Sequence, residues 1–299
     1  MRPDDRARTR RRGFRLAAVS LAALLVTAGC STEQLKTGFL PSTPDTTNHT
    51  GRVITLWNGS WIAALFVGAV VWGLIIWCVA AYRRRKDETG LPAQVRYNVP
   101  LEILYTVVPI FMVAVLFYFT ARDQSEIEAR NPNPDVSVQV IGKQWAWDFN
   151  YKDANVYETS QQVPLDGTRG PEAQIPVLYL PVDKSVEIQL NARDVIHSFW
   201  VPAFLYKKDI IPGRTNYMTF TPTKEGVYKG KCAELCGEYH SEMLFDVAVV
   251  SQAEFDKQMQ NLRQKGQVGQ LSMDLSRQGQ PSTDLGITED QTGESGGSK

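Results

Sequence analysis

Gly226-Val227-Tyr228-Lys229-Gly230-Lys231-Cys232-Ala233-Glu234-Leu235-Cys236-Gly237-Glu238-Tyr239-His240-Ser241-Glu242-Met243-Leu244-Phe245-Asp246-Val247-Ala248-Val249 holds two short β-rich runs, residues 226–231 and 243–249, around a loop crowded with metal-ligating groups. Strand candidates on both flanks pin such a loop at its two ends. Residues 232–243 bring together two thiols, an imidazole and a thioether. That donor set is soft to borderline and suits copper, whereas zinc has little use for a thioether. A Cys232–Cys236 disulfide or a structural zinc module would use the thiols and leave Met243 without a purpose. Two thiolates four residues apart can also bridge two copper ions and spread one electron over both. A further imidazole must come from elsewhere: the chain has three histidines, His49 precedes the long apolar stretches, and His197 remains.

Working outward, residues 136–140 and 186–190 alternate apolar and polar with period two, and 145–151 and 216–221 are further strand candidates. Strands at this spacing without helical patterns between them predict a β-sandwich or small barrel. Residues 161–176 read as a long polar loop, 254–265 as a short helix, and 266–299 as a disordered tail rich in Gly, Ser, Gln, Asp and Thr. Residues 122–250 carry 13 basic against 18 acidic side chains, a field that favours a cationic partner. Over the whole chain 32 basic residues balance 32 acidic ones, which gives no support to a nucleic-acid binder.

The N-terminal third is of a different kind. Residues 61–82 are uncharged throughout and 103–121 form a second apolar stretch, each long enough to cross about 30 Å of hydrocarbon. Arg83, Arg84, Arg85, Lys86 and Arg96 lie between them, so the positive-inside rule makes residues 83–100 cytoplasmic and everything from Arg122 onward exported. A basic start, a short apolar run and small residues before Cys30 describe a signal peptide over residues 1–29. The expected organisation is a signal peptide (1–29), an extracytoplasmic segment (30–56), a two-helix transmembrane hairpin (57–121), an exported β domain (122–250), and a short helix with a disordered tail (251–299). Glu102, at the mouth of the second span, either snorkels into water or handles protons beside a partner subunit.

Cys232-Ala233-Glu234-Leu235-Cys236-Gly237-Glu238-Tyr239-His240-Ser241-Glu242-Met243, with Asp194-Val195-Ile196-His197-Ser198-Phe199 upstream, resembles the dinuclear copper (CuA) site of cytochrome c oxidase subunit II. The resemblance extends through Gly142-Lys143-Gln144-Trp145-Ala146-Trp147-Asp148-Phe149, Asp209-Ile210-Ile211-Pro212-Gly213-Arg214 and Pro100-Leu101-Glu102-Ile103-Leu104-Tyr105, and it looks most like actinobacterial members. It implies a cupredoxin-like fold for the exported domain. It also implies that Cys232 and Cys236 bridge two coppers, with His197 and Met243 completing one and His240 and the Glu234 backbone carbonyl the other. By the same resemblance the Glu234 side chain reaches a magnesium or manganese ion, electrons enter at Trp145 from cytochrome c, and Glu102 lies at a proton channel of the catalytic subunit. Subunits I and III, and cytochrome c or a c-type cytochrome of a bc complex, would be the partners, at a bacterial plasma membrane. The residues preceding Cys30 resemble the lipobox of bacterial lipoproteins, which would make Cys30 the lipid-bearing residue.

A membrane-tethered copper chaperone with a Cys-x-x-x-Cys pair is the alternative from another class, but it would bring a thioredoxin-like α/β fold and usually one span. The absence of a Cys-x-x-Cys-His motif and the shortage of histidines place oxygen chemistry on a partner rather than here.

Overall fold

A computed structural model describes residues 31–84, 90–91, 94, 96–161 and 175–273, which fall into two compact units. The expected signal peptide, lipidation at Cys30, part of the 83–100 loop, most of the 161–176 excursion and the tail beyond residue 273 lie outside the described residues.

The helical unit contains α1 (Thr32–Thr37), α2 (Thr50–Ala81) and α3 (Val99–Ile127). A capping box starts α1: Ser31 Oγ accepts from Gln34 N, and Gln34 Oε1 accepts from Ser31 N, both at 3.1 Å. The helix stops at Gly38, whose φ of 62° puts it in the left-handed region, and Trp57 Nε1 donates to the Gly38 carbonyl at 2.9 Å. Helices α2 and α3, of 32 and 29 residues, are long and apolar enough to cross a membrane. Ile62, Phe66, Ile110 and Phe117 stay exposed on them, as expected of side chains that would otherwise face lipid. Helix α2 begins well before the apolar stretch. Its polar residues turn inward on the helix: Thr55 Oγ1 donates to Gly51 O at 2.8 Å and Ser60 Oγ to Leu56 O at 2.7 Å.

The β unit holds ten strands: β1 (Val136–Lys143), β2 (Ala146–Tyr151), β3 (Val156–Thr159), β4 (Val177–Pro181), β5 (Val186–Ala192), β6 (His197–Val201), β7 (Tyr206–Ile210), β8 (Asn216–Phe220), β9 (Gly226–Cys232) and β10 (Leu244–Val250), followed by α4 (Gln252–Gln264). They form two five-stranded sheets of order β3-β2-β1-β5-β8 and β4-β10-β9-β6-β7, each with one parallel pair, β1 with β5 and β4 with β10. The inward sides of β1 and β5 are the period-two apolar positions Val136, Val138, Val140, Val186, Ile188 and Leu190. An aromatic cluster fills the space between the sheets: Phe199 stacks on Phe245 at 4.7 Å, and Trp147 meets Phe245 edge-on at 5.0 Å. Gly230 makes that cluster possible, because a Cβ there would lie 2.2 Å from the Phe245 ring.

Strands β3, β4, β6 and β7 are absent from the sequence-based set of candidates. The cause in β6 is burial of nearly every residue, which erases the alternation, and in β7 a polar sequence suited to an edge. The described part of the tail also departs from the expected disorder. Val268 bridges Val156, Tyr157 N donates to Gln267 O, and Leu271 exchanges hydrogen bonds with the Asn150 side chain. Composition undercounts such a segment because its anchors are backbone groups. Both edges of the first sheet are thereby covered, β3 by the tail and β8 by residues 45–49, where Asn48 N donates to Thr221 O and His49 Nε2 contacts Thr219 O. Blocking both edges removes templates for unwanted strand pairing.

Candidate metal centre

Strand register assembles the site. Phe199 on β6 pairs with Cys232 on β9, so His197, at the start of β6, projects beside the end of β9. The loop then turns back through a short 3-10 turn, His240–Glu242, and Cys232 N donates to Met243 O at 3.0 Å, closing the loop at its base. Trp147 Nε1 donates to the same carbonyl at 3.4 Å. Gly142 on β1 leaves room for the imidazole, since a Cβ there would sit 2.9 Å from the His197 ring.

The donor atoms gather around two sulfurs. Cys232 Sγ and Cys236 Sγ lie 3.9 Å apart, nearly twice a covalent S–S distance of about 2.05 Å, so the pair is two free thiols and not a disulfide. Against Cys232 Sγ stand His197 Nδ1 at 3.9 Å and the Glu234 carbonyl oxygen at 3.3 Å. Against Cys236 Sγ stand His240 Nδ1 at 3.5 Å and Met243 Sδ at 3.8 Å. His197, Cys232, Cys236 and Met243 are all buried, while the Glu234 side chain is exposed. Two metal–sulfur bonds of about 2.3 Å each can span the 3.9 Å between the sulfurs, so one ion can touch both. Soft sulfurs and imidazoles, all buried except the half-buried His240, fit copper by chemistry as well as by spacing.

Groups beyond the sequence-predicted ligands complete the arrangement. Asp194 Oδ1 accepts from His197 Nε2 at 2.8 Å, which turns Nδ1 toward the thiols. Burial pulls the His197 imidazole down, but the Asp194 carboxylate and Cys232 sulfur outweigh it and leave its pKa above the usual histidine value. Burial raises the Asp194 carboxyl, yet His197 and the backbone N–H groups of Gln144 and Val195 hold it below the ordinary range. The two thiols diverge. Burial pushes Cys232 up but its contacts with His197 and nearby backbone bring it down overall, whereas burial and the neighbouring Cys232 sulfur push Cys236 up to about 12. A carboxylate three residues before the histidine is the only local sequence signal for Asp194, and such a spacing is common.

Trp145 sits half-buried beside the loop. Its indole Nε1 donates to the Cys236 carbonyl at 3.2 Å, Gln144 Nε2 donates to the same oxygen at 2.7 Å, and Tyr239 packs edge-on at 4.7 Å. Glu102 belongs to the helical unit, where its carboxylate accepts from Asn98 N at 3.1 Å and so serves the first turn of α3.

A family profile described as the cytochrome c oxidase subunit II periplasmic domain matches residues 136–250. The chain is 42% identical to a probable cytochrome c oxidase subunit 2 of Streptomyces coelicolor, over 93% of this chain and 96% of that protein. It is 35% identical to cytochrome c oxidase subunit 2 of Mycobacterium tuberculosis, over 83% and 82% of the two chains. The crystal structure of the periplasmic domain of cytochrome oxidase subunit II from Bradyrhizobium japonicum is 34% identical, covering 45% of this chain and 97% of that one, with a TM-score of 0.40. With an identity of 42% sustained over nearly its whole length, the chain belongs to the cytochrome c oxidase subunit 2 family.

Proposed function

We propose that the chain accepts electrons from cytochrome c, or from a c-type cytochrome of a bc complex, and passes them to haem in subunit I, using a dinuclear copper centre whose paired ions supply one-electron redox chemistry. Cys232 and Cys236 would hold both ions, His197 and Met243 one, His240 and the Glu234 carbonyl the other. The observation that carries this reading is the separation of 3.9 Å between two buried thiols with His, Met and carbonyl donors divided between them. A magnesium or manganese ion would be held by the exposed Glu234 carboxylate.

The protein's own contribution is rigidity and exclusion of water. Asp194 fixes the His197 ring, the Cys232–Met243 backbone bond fixes the loop, and both sheets hold the donors in place whether or not an electron is present. A site that does not rearrange keeps the barrier to electron transfer low. The Trp145 indole reaches the Cys236 carbonyl directly, which gives electrons a bonded route into the ligand loop. The acidic excess of residues 122–250 would draw a cationic cytochrome. In this reading Glu102 serves the mouth of a proton channel in subunit I, subunit III completes the assembly, and the β domain faces the outside of a bacterial plasma membrane. Residues 1–29 act as a signal peptide, with Cys30 lipidated.

Copper loading of the purified full chain, read by electron paramagnetic resonance, tests the centre. The hyperfine pattern of one electron shared equally by two copper nuclei, abolished by Cys232→Ser and by Cys236→Ser, is expected. A single-nucleus pattern, or failure to bind copper, would sink the proposal.

A further inference from the structure

The two long helices leave a groove of about 500 Å³ between them, lined by Thr55, Gly59, Ala63, Phe111, Val115 and Phe119 among others, with Arg122 and Asp123 at one end. Small residues on α2 open the groove and bulky apolar ones on α3 wall it. A Cβ at Gly59 meets nothing within 4 Å, so the space beside that residue is empty of protein. Along the helix axes the groove runs about 12 Å from Thr55 to Ala63 and about 16 Å from Phe111 to Arg122, at 1.5 Å per residue. Phe111, Val115 and Phe119 lie inside the apolar stretch 103–121, so the α3 wall of the groove is at hydrocarbon depth, while Thr55 to Gly59 on α2 precede the apolar stretch 61–82.

Charge stands on both helices at its mouth: Asp123 Oδ1 accepts from Arg52 Nη1 of α2 at 3.0 Å as well as from Arg122. Arg122 donates to Asp123 Oδ1 through Nε at 3.0 Å and Nη2 at 2.8 Å, and its guanidinium lies 5.1 Å above the Phe119 ring that walls the groove. A guanidinium has five N–H donors, and these bonds leave the Nη1 donors for a second acceptor. The Arg122 side chain is 49% exposed, while Asp123 is buried against it. A cationic donor above an apolar channel matches an amphiphile with phosphate at one end and a hydrocarbon chain behind it.

We propose that this groove is a phospholipid site: an acyl chain lies along Phe111, Val115 and Phe119 of α3 beside Gly59 of α2, and the lipid phosphate is bound by Arg122. The site is independent of the copper reading, since every residue in it belongs to the helical unit.

The test is retention of dioleoyl-phosphatidylglycerol by the full chain, measured by native mass spectrometry after detergent washing that removes bulk lipid. Wild type is expected to keep bound phospholipid. Gly59→Leu fills the open space and is expected to remove about one phospholipid per chain. Arg122→Gln leaves the groove intact and is expected to weaken retention by about tenfold, the loss of a charge-assisted hydrogen bond. Wild type washed free of phospholipid, or variants that retain as much as wild type, would overturn the proposal. So would Gly59→Leu keeping its lipid while losing co-purifying oxidase subunits, because the groove would then seat a partner's helix.

Discussion

Asp194→Asn perturbs the joint that aims a copper-ligand candidate. The carboxylate accepts from His197 Nε2 at 2.8 Å and Val195 N at 2.7 Å through Oδ1, and from Gln144 N at 2.7 Å through Oδ2. Asparagine has the same shape but one acceptor oxygen. With that oxygen turned to His197, its amide nitrogen faces the Gln144 N–H and the third bond is lost. A hydrogen bond to a charged group contributes about 1.5–3 kcal/mol and a neutral one about 0.5–1.5, so neutralising the His197 bond costs about 1 kcal/mol. Orphaning the Gln144 N–H adds about 1 kcal/mol, the low end for an unsatisfied donor, because Gln144 is only partly buried. The metal-free chain should therefore lose about 2 kcal/mol by denaturant unfolding of the β unit. Loss of the partner that orients a ligating histidine lowers metal affinity by about 10–100-fold, measurable by competition with a copper chelator. Unchanged affinity together with stability within about 0.5 kcal/mol of wild type would show that the carboxylate does not position the ring.

Gly230→Ala should destabilise the β unit by about 1–3 kcal/mol through overpacking, since the new methyl would meet the Phe245 ring at 2.2 Å; a neutral or raised Tm would contradict this. Truncation after Lys265 removes the segment that covers β3 and should lower stability by about 1–3 kcal/mol and promote self-association, read by unfolding and light scattering; an unaltered monomer would count against edge protection. Trp145→Phe keeps the packing on Tyr239 and deletes the indole donor to Cys236. Electron uptake from reduced cytochrome c in stopped flow should slow by at least about tenfold with the copper spectrum retained, and equal rates would remove Trp145 from the route. Copper affinity should rise with pH near neutrality, because a Cys236 thiol pushed up to about 12 holds a proton that the metal must displace; chelator competition at several pH values reading a flat affinity would refute it.

The Asp194–His197 pair also sets a pH window for the metal-free chain. Asp194 is lowered in the folded state, so its contribution is present above the ordinary carboxylate pKa and fades as pH falls through the folded value. His197 is raised, so its contribution is complete below the usual histidine pKa and is lost as pH rises through the folded one. Stability from the pair is therefore greatest between about pH 4 and about pH 6.5, and Asp194→Asn should flatten the alkaline side of a Tm profile.

Sequence alone determined what is local or strongly patterned. Hydropathy marked the two long helices, period-two alternation marked β1 and β5, and the spacing of Cys232, Cys236, His240 and Met243 marked a soft-ligand loop because all four lie on one short segment. Tertiary structure decided the rest. The placement of His197 depends on the register of β6 against β9, a pairing across more than thirty residues that no local pattern encodes. Asp194, Gly142 and Trp147 became part of the site only when the strands were brought together, since each acts through a neighbour distant in the chain or through a ring's orientation. Strands β3, β4, β6 and β7 and the tail lack a local pattern, through full burial in β6, a polar edge sequence in β7 and backbone anchors in the tail. Their stability comes from hydrogen bonds and burial supplied by other strands, and those partners exist only in the folded sandwich.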